Sequence, residues 1–167
     1  MAIFTQIKFQ VHHIPNPANP SQTQSQLTLG PQGLFAGGIV MDMAIAVDAV
    51  TVQAMQNGNQ PIPPPVTAKA LVDTGCTITS IDQTLAQRLG LAVRGMTTTH
   101  TAAGPTTSNQ YFVAFSFPGT NLQGKTLHRV QSVNLTGQPF QVLIGRDLMA
   151  SWIINYNGPT GYISIAD

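Results

Sequence analysis

The chain has 167 residues, of which 43% are hydrophobic and 8% are charged, and its formal net charge is +1. This length is enough for one domain with a sizeable core rather than for two. The weak charge offers no electrostatic attraction to nucleic acid or to an acidic membrane surface, so we expect neither as a partner.

The first third of the chain predicts strands and one long loop. Residues 3–11 alternate apolar and polar side chains, as a half-buried strand does. Proline, asparagine, serine and glutamine dominate residues 12–26, which predicts a mobile linker or long surface loop. Residues 27–52 predict two or three strands separated by glycines. We therefore divide the chain into an N-terminal strand and mobile segment, residues 1–33, and a main domain, residues 34–167.

The next motif brings three functional groups to the end of an apolar strand. An apolar run over residues 70–72 leads into Asp73, Thr74 and Gly75. Two carboxylates about 3 Å apart cannot both ionise, so they share a proton and can serve as base and acid. The chain contains Asp-Thr-Gly only once, so such a pair requires a second copy of the chain, related by a two-fold axis. The alternative for Asp73 is a turn aspartate that hydrogen-bonds its own backbone.

Beyond this motif the sequence predicts short helices and further strands. Asp82 can cap the first helix and Gly90 can end it. A second apolar strand, residues 140–144, runs into Gly145, Arg146 and another short helix. The remaining predictions are strands at residues 110–117, 152–156 and 161–166.

In the order and spacing of these motifs, residues 34–167 resemble the retropepsin-like aspartic proteases. Members of that family pair an apolar-apolar-Asp-Thr-Gly turn with a later apolar-apolar-Gly strand and a C-terminal helix. The resemblance implies an all-β fold, a retropepsin-like closed β-barrel with one or two short helices. It also implies an aspartic endopeptidase that hydrolyses peptide bonds through a water activated by an aspartate dyad formed across a homodimer.

The resemblance further implies roles for individual residues. Asp73 is the expected catalytic residue, with Thr74 and Gly75 supporting it, while Gly145 and Arg146 belong to the later structural motif. The family also has a β-hairpin flap over a peptide or protein substrate, whose tip is expected at residues 101–105 and contains Ala102, Ala103 and Gly104. Apolar subsites are expected at Ile78, Ala103, Val142 and Leu143.

The position two residues after the motif glycine departs from the retroviral members of the family. These carry an aspartate two residues after the motif glycine, where it pairs with the motif arginine and supports the dimer, whereas this chain has Thr77. Asp82, Asp147 or a group on the other subunit remain as candidate partners of Arg146. A weak dimer leaves a second hypothesis, namely a catalytically weak or inactive retropepsin-like dimer that serves as a peptide-binding or assembly module.

Other chemistries lack supporting motifs. Cys76 is the single cysteine, and a buried structural role is favoured over a thiol–imidazole pair with His100. The four histidines show no metal-ligand spacing, and no phosphate-binding glycine loop occurs, so we expect no metal and no cofactor. Since the sequence shows no signal peptide and no membrane segment, we expect a cytoplasmic protein.

Overall fold

The computed structural model describes residues 4–7, 11–16, 19–27, 31–101 and 104–167. Two compact units are present, one formed by Met1–Ile39 with Trp152–Asp167 and the other by Val40–Ser151. The strands are β1 (Phe4–Ile7), β2 (Val11–Asn16), β3 (Asn19–Leu27), β4 (Val40–Val47), β5 (Val66–Val72), β6 (Ser80–Asp82), β7 (Gly95–Thr101), β8 (Gly104–Ser116), β9 (Lys125–Val133), β10 (Val142–Ile144), β11 (Ile153–Asn157) and β12 (Tyr162–Ala166). The helices are α1 (Pro31–Gly37), α2 (Ala49–Asn57), α3 (Gln83–Arg88) and α4 (Arg146–Met149).

A closed six-stranded barrel forms the larger unit. Its strands are hydrogen-bonded in the order β4, β5, β10, β6, β9 and β8, and β8 pairs back with β4 to close the ring. The pairs β5–β10 and β6–β9 are parallel, and the other four are antiparallel. Beyond the ring, β7 pairs with the first half of β8 as an antiparallel hairpin. The predicted all-β class and closed barrel are therefore confirmed.

The barrel core follows from alternation along its strands. In β4 every second side chain is buried, which is the period of two that a strand with one face inward requires. Apolar residues of the barrel unit with no exposed surface are Met43, Ile45, Ala70, Ile81, Leu85, Val113, Val130, Val142 and Ile144. No helix within the described ranges is long and apolar enough to span a bilayer.

The smaller unit contains a three-stranded sheet, a hairpin and α1. Its sheet has the order β1, β12, β11, so the two predicted C-terminal strands are confirmed. The loop predicted over residues 12–26 is wrong for the described part of that segment, because β2 and β3 pair antiparallel there. Strand pairing is a main-chain interaction and needs little apolar surface, and both strands of a two-stranded sheet are edges, where proline is tolerated.

The prediction of two or three strands over residues 27–52 is also wrong, since the described part holds one strand with α1 before it and the start of α2 after it. The β-branched run of Val50, Thr51 and Val52 favours a strand by composition. Asp48 overrides this preference, because its Oδ1 accepts hydrogen bonds from the backbone N–H groups of Val50 and Thr51, both at 3.0 Å, and so caps a helix.

Helix α3 begins and ends as predicted. The carboxylate of Asp82 accepts hydrogen bonds from the backbone N–H and the hydroxyl of Thr84, and Gly90 follows the last turn with φ +61°. The other carboxylate oxygen accepts the backbone N–H of Leu135 at 2.8 Å. Burial alone would raise the pKa of Asp82, but these hydrogen bonds outweigh burial and lower it.

Replacing Asp82 by Ala removes the cap of α3 and leaves the N–H of Leu135 without its acceptor. We expect the free energy of unfolding to fall by about 2 to 3 kcal/mol, measured by urea unfolding at one fixed protein concentration. Asp42→Ala is the matched control, because Asp42 forms an exposed ion pair with Lys69 and should cost under about 0.5 kcal/mol. Equal losses in the two variants would contradict the capping role.

Candidate active site

The parallel pairing of β5 with β10 places two sequence motifs side by side. Leu71 lies opposite Leu143 and Val72 opposite Ile144, and the backbone N–H of Asp73 donates to the carbonyl of Ile144 at 3.0 Å. The segments that follow β5 and β10 both leave the sheet at the carboxyl ends of these neighbouring strands. The Asp73 turn, defined as residues 73–76, therefore lies next to Gly145 although the two are far apart in sequence.

Asp73 is held by its own turn. Its Oδ1 accepts the backbone N–H of Gly75 at 2.8 Å, and its carbonyl accepts the N–H of Cys76 at 3.1 Å. A Cβ added at Gly75 would lie 3.1 Å from this Oδ1, so glycine leaves room beside the carboxylate. The bond to Gly75 is the one that the turn-aspartate alternative predicts, and it also fixes the orientation of the half-exposed carboxylate.

Arg146 ties the start of α4 to the Asp73 turn. Its Nη1 donates to the carbonyl of Thr74 and its Nη2 to the hydroxyl of Thr77, both at 2.8 Å. Neither Asp82 nor Asp147 pairs with it, so the prediction of those two partners is wrong for the described residues. A threonine hydroxyl, together with a backbone carbonyl, takes the place of the acid.

Gly145 is a position where no side chain fits. A Cβ there would lie 2.6 Å from the carbonyl carbon of Ile78 and 2.7 Å from the backbone nitrogen of Thr79. Its φ of −86° is open to any residue, so the requirement is steric rather than conformational. The close approach brings the start of α4 directly against residues 78–79, and the N–H of Gly145 donates to the hydroxyl of Thr79 at 3.1 Å.

Asp147 joins α4 to two other elements in a cluster that the sequence did not predict. Its Oδ1 accepts the N–H of Thr79 at 2.9 Å and the hydroxyl of Thr79 at 2.8 Å, and its Oδ2 lies 3.0 Å from Nε2 of His128. Burial alone would raise the pKa of Asp147, but the hydrogen bonds from His128 and Thr79 outweigh burial and hold it below its usual value.

Asp73 differs from the other carboxylates of the barrel unit. The unit's four other aspartates each have a distant partner or a helix to cap: Asp42 pairs with Lys69, Asp48 caps α2, Asp82 caps α3 and Asp147 binds Thr79 and His128. The chain contains no glutamate. Within the described part of the barrel, Asp48 and Asp73 both bind only residues close in sequence, but Asp48 is buried and caps a helix, whereas Asp73 is half-exposed and caps none.

The β7–β8 hairpin follows at the predicted place. Thr101 lies opposite Gly104, whose φ of +112° favours glycine. Ala102 and Ala103 lie outside the described residues. Of the predicted subsite positions, Ile78 and Leu143 are half-buried, whereas Val142 is wholly buried and cannot line an open subsite. Val142 and Ile144 are buried on the inner face of β10, and Leu143 between them takes the other face.

Comparison with known proteins decides the family. The family model described as aspartyl protease matches residues 50–148, which is more than half of the chain and includes both Asp73 and Gly145. The chain belongs to the aspartyl protease family. Among solved structures, a retropepsin-like aspartic protease from Rickettsia conorii matches with 13% identity and a TM-score of 0.45, covering 77% of this chain and 92% of that one. No curated protein matches the chain.

In this aspartyl protease the cysteine next to the motif glycine is a thiol that donates a hydrogen bond. Sγ of Cys76 lies 2.9 Å from the carbonyl of Ile78. Burial is the main reason that the pKa of Cys76 is raised, which disfavours the thiolate needed for a nucleophile. The side chain of His100 lies outside the described residues. Among those described, no group of three histidine, cysteine or aspartate side chains is arranged to hold a metal ion.

Replacing Asp147 by Asn tests the cluster on α4. At about pH 6 we expect the free energy of unfolding to fall by about 1 to 3 kcal/mol, because a charged acceptor is lost from a half-buried site. The pKa of Asp147 is lower folded than unfolded, so its stabilisation is complete above the ordinary value of about 3.9 and is lost as the pH falls through the folded value. The difference in free energy of unfolding between the wild type and Asp147→Asn should therefore become smaller below about pH 4, as measured by urea unfolding. A difference that does not change with pH would contradict this role.

Proposed function

We propose that this protein is an aspartic endopeptidase whose catalytic site forms when two copies of the chain bring their Asp73 carboxylates together. The observation that carries the proposal is the state of Asp73. It is a half-exposed carboxylate at the end of a barrel strand, held in orientation by Gly75 and bound to no distant side chain within the described residues. Every other carboxylate of the barrel unit caps a helix or binds a side chain from another part of the chain.

A single carboxylate can serve as base or as acid but not as both at once. Aspartic proteases in general solve this with two carboxylates that share one proton. Because this chain contains Asp-Thr-Gly once, the second carboxylate has to come from another copy, and a two-fold axis through the Asp73 turns supplies it. The proposal therefore includes a homodimer and a peptide or protein substrate.

The reaction follows from the shared proton. The ionised Asp73 takes a proton from a water held between the two carboxylates, while the protonated Asp73 of the other copy donates a hydrogen bond to the peptide carbonyl. The water oxygen bonds to the carbonyl carbon and forms a tetrahedral intermediate. A carboxyl proton then passes to the amide nitrogen as the carbon–nitrogen bond breaks, so no covalent enzyme intermediate forms and the dyad regains its single proton.

The neighbouring residues support this assignment with roles of their own. Arg146 holds the carbonyl of Thr74, which leaves the exposed Thr74 hydroxyl free to meet its counterpart in the other copy. Gly75 would present backbone to an extended peptide, since no side chain covers it. The β7–β8 hairpin, in which Thr101 lies opposite Gly104, would close over that peptide as a flap and add strand-like hydrogen bonds.

Cleavage of a peptide library by the wild type and by Asp73→Asn tests the chemistry. We expect cuts by the wild type between about pH 4 and pH 7, and a loss of at least about a thousandfold in kcat/KM for the variant, because the amide cannot take the proton from water. Asp42→Asn is the matched control and should cleave like the wild type, since Asp42 is an exposed partner of Lys69. Cuts that persist in Asp73→Asn would contradict the proposal.

Mixing the two proteins tests whether two copies share one site. At constant total concentration and equal amounts of wild type and Asp73→Asn, random pairing leaves about one quarter of the activity, because a mixed dimer contains one carboxylate. A site complete within one chain would leave about one half. The same mixture made with Asp42→Asn should retain full activity.

The alternative function is a peptide-binding or assembly module. If the wild type cleaves no peptide at concentrations where gel filtration shows a dimer, that alternative is favoured.

A further inference from the structure

Three hydrogen bonds in series connect the β7–β8 hairpin to the segment that follows the Asp73 turn. The hydroxyl of Thr99 donates to Oε1 of Gln131 at 3.0 Å, and Nε2 of Gln131 donates to the hydroxyl of Ser80 at 3.1 Å. The hydroxyl of Ser80 in turn donates to the carbonyl of Ile78 at 3.0 Å. Since a carbonyl can only accept, all three donors point the same way, and such chains strengthen one another.

The two ends of this series differ in how firmly they are held. Gln131 is joined to the Asp73 side twice, through its amide to Ser80 and through its backbone N–H to the carbonyl of Thr79 at 3.1 Å. Gln131 and the two residues that follow it on β9 also pair with β6, Gln131 lying opposite Ser80. On the hairpin side, Gln131 pairs with Gln110 at the base of the hairpin, and beyond that base the hydroxyl of Thr99, two residues before the end of β7, reaches its side chain. The bond to Thr99 is therefore the one that a hairpin movement would break.

Burial gives that bond its importance. Gln131 is only 6% exposed, and Ser80 is 1% exposed. A buried amide oxygen that loses its partner is costly, more so than the mean strength of a hydrogen bond suggests. When the hairpin lifts, Oε1 of Gln131 loses the Thr99 hydroxyl, so the structure favours the position in which the hairpin lies down on β9.

We propose that Thr99 and Gln131 form a latch that holds the β7–β8 hairpin over the barrel and ties its position to the Asp73 turn. Gln131 is then a positioning residue that acts on the reaction through Thr99 and through residues 78–80. The part of this inference that concerns catalysis rests on the proposed function, in which the hairpin covers the peptide. The latch itself is a property of the fold and can be measured without any substrate.

Amide hydrogen exchange on the full chain tests the latch. Thr99→Val removes the donor with little change in shape, and we expect the amides of β7 and of the facing half of β8 to exchange about three to ten times faster, while those of β5 and β10 are unchanged. Thr99→Ser keeps the hydroxyl and should restore wild-type exchange. Thr98→Val is the matched control, because Thr98 is exposed and lies on the other face of the same strand. Equal exchange in Thr99→Val and Thr98→Val would overturn the latch.

Peptide cleavage by the same proteins tests the positioning role. Thr99→Val should lower kcat/KM by up to about tenfold with an unchanged pH profile, because the hairpin closes less often and the carboxylates are untouched. Thr99→Ser and Thr98→Val should cleave like the wild type. Faster exchange in the hairpin with unaltered kcat/KM would overturn the positioning role. If the wild type cleaves nothing, the proposed function fails, and the exchange data still decide whether the latch exists.

Discussion

The close contact at Gly145 is the constraint on which the arrangement of the site depends. Strands β5 and β10 are parallel neighbours, so the segments that leave them have to pass each other at the same edge of the barrel. They can do so only because Gly145 has no Cβ where the backbone of residues 78–79 lies. The guanidinium of Arg146, which binds the carbonyl of Thr74, and the carboxylate of Asp147, which binds Thr79, both belong to the helix that this contact places.

Next to this contact Arg146 binds two uncharged groups in place of an acidic side chain. Arg146 binds a hydroxyl and a carbonyl, which hold its orientation without neutralising its charge. An exposed ion pair would add little, since such pairs contribute about 0 to 1 kcal/mol. The geometry of the turn therefore depends on directed hydrogen bonds more than on net attraction, which suits a chain in which only 8% of residues are charged.

Local signals in the sequence were sufficient for the features that depend on a few neighbouring residues. The Asp82 cap and the glycine of the second motif follow from short patterns, whereas the hairpin beside Gly104 and the retropepsin-like barrel were expected from the family that the order of these patterns resembles. The roles of Asp73, Thr74 and Gly75 remain predictions about chemistry.

What the sequence could not predict depends on pairs that are far apart along the chain. Thr79 and Asp147 are separated by 68 residues, and no periodicity in the sequence joins them. The same holds for Thr99 and Gln131, which are 32 residues apart. Helix α2 was missed for the opposite reason, because its β-branched residues favour a strand and a single cap at Asp48 decides otherwise. The polar composition of residues 12–26 favours a loop, but β2 and β3 pair there through their main chains, which composition does not reveal.

Strand β8 has a consequence of its own because it belongs to two structures at once. Its 13 residues pair with β7 in the hairpin, with β9 in the barrel wall and with β4 where the barrel closes. The pairing with β9 shifts register between Val113 and Phe115. The first half of β8 thus belongs to the hairpin and its last residues belong to the seam that closes the barrel. Sequence changes along the seam would therefore also change the angle of the hairpin, which makes the β4–β8 pairing a second place, outside the Asp73 turn, where mutation can alter the hairpin.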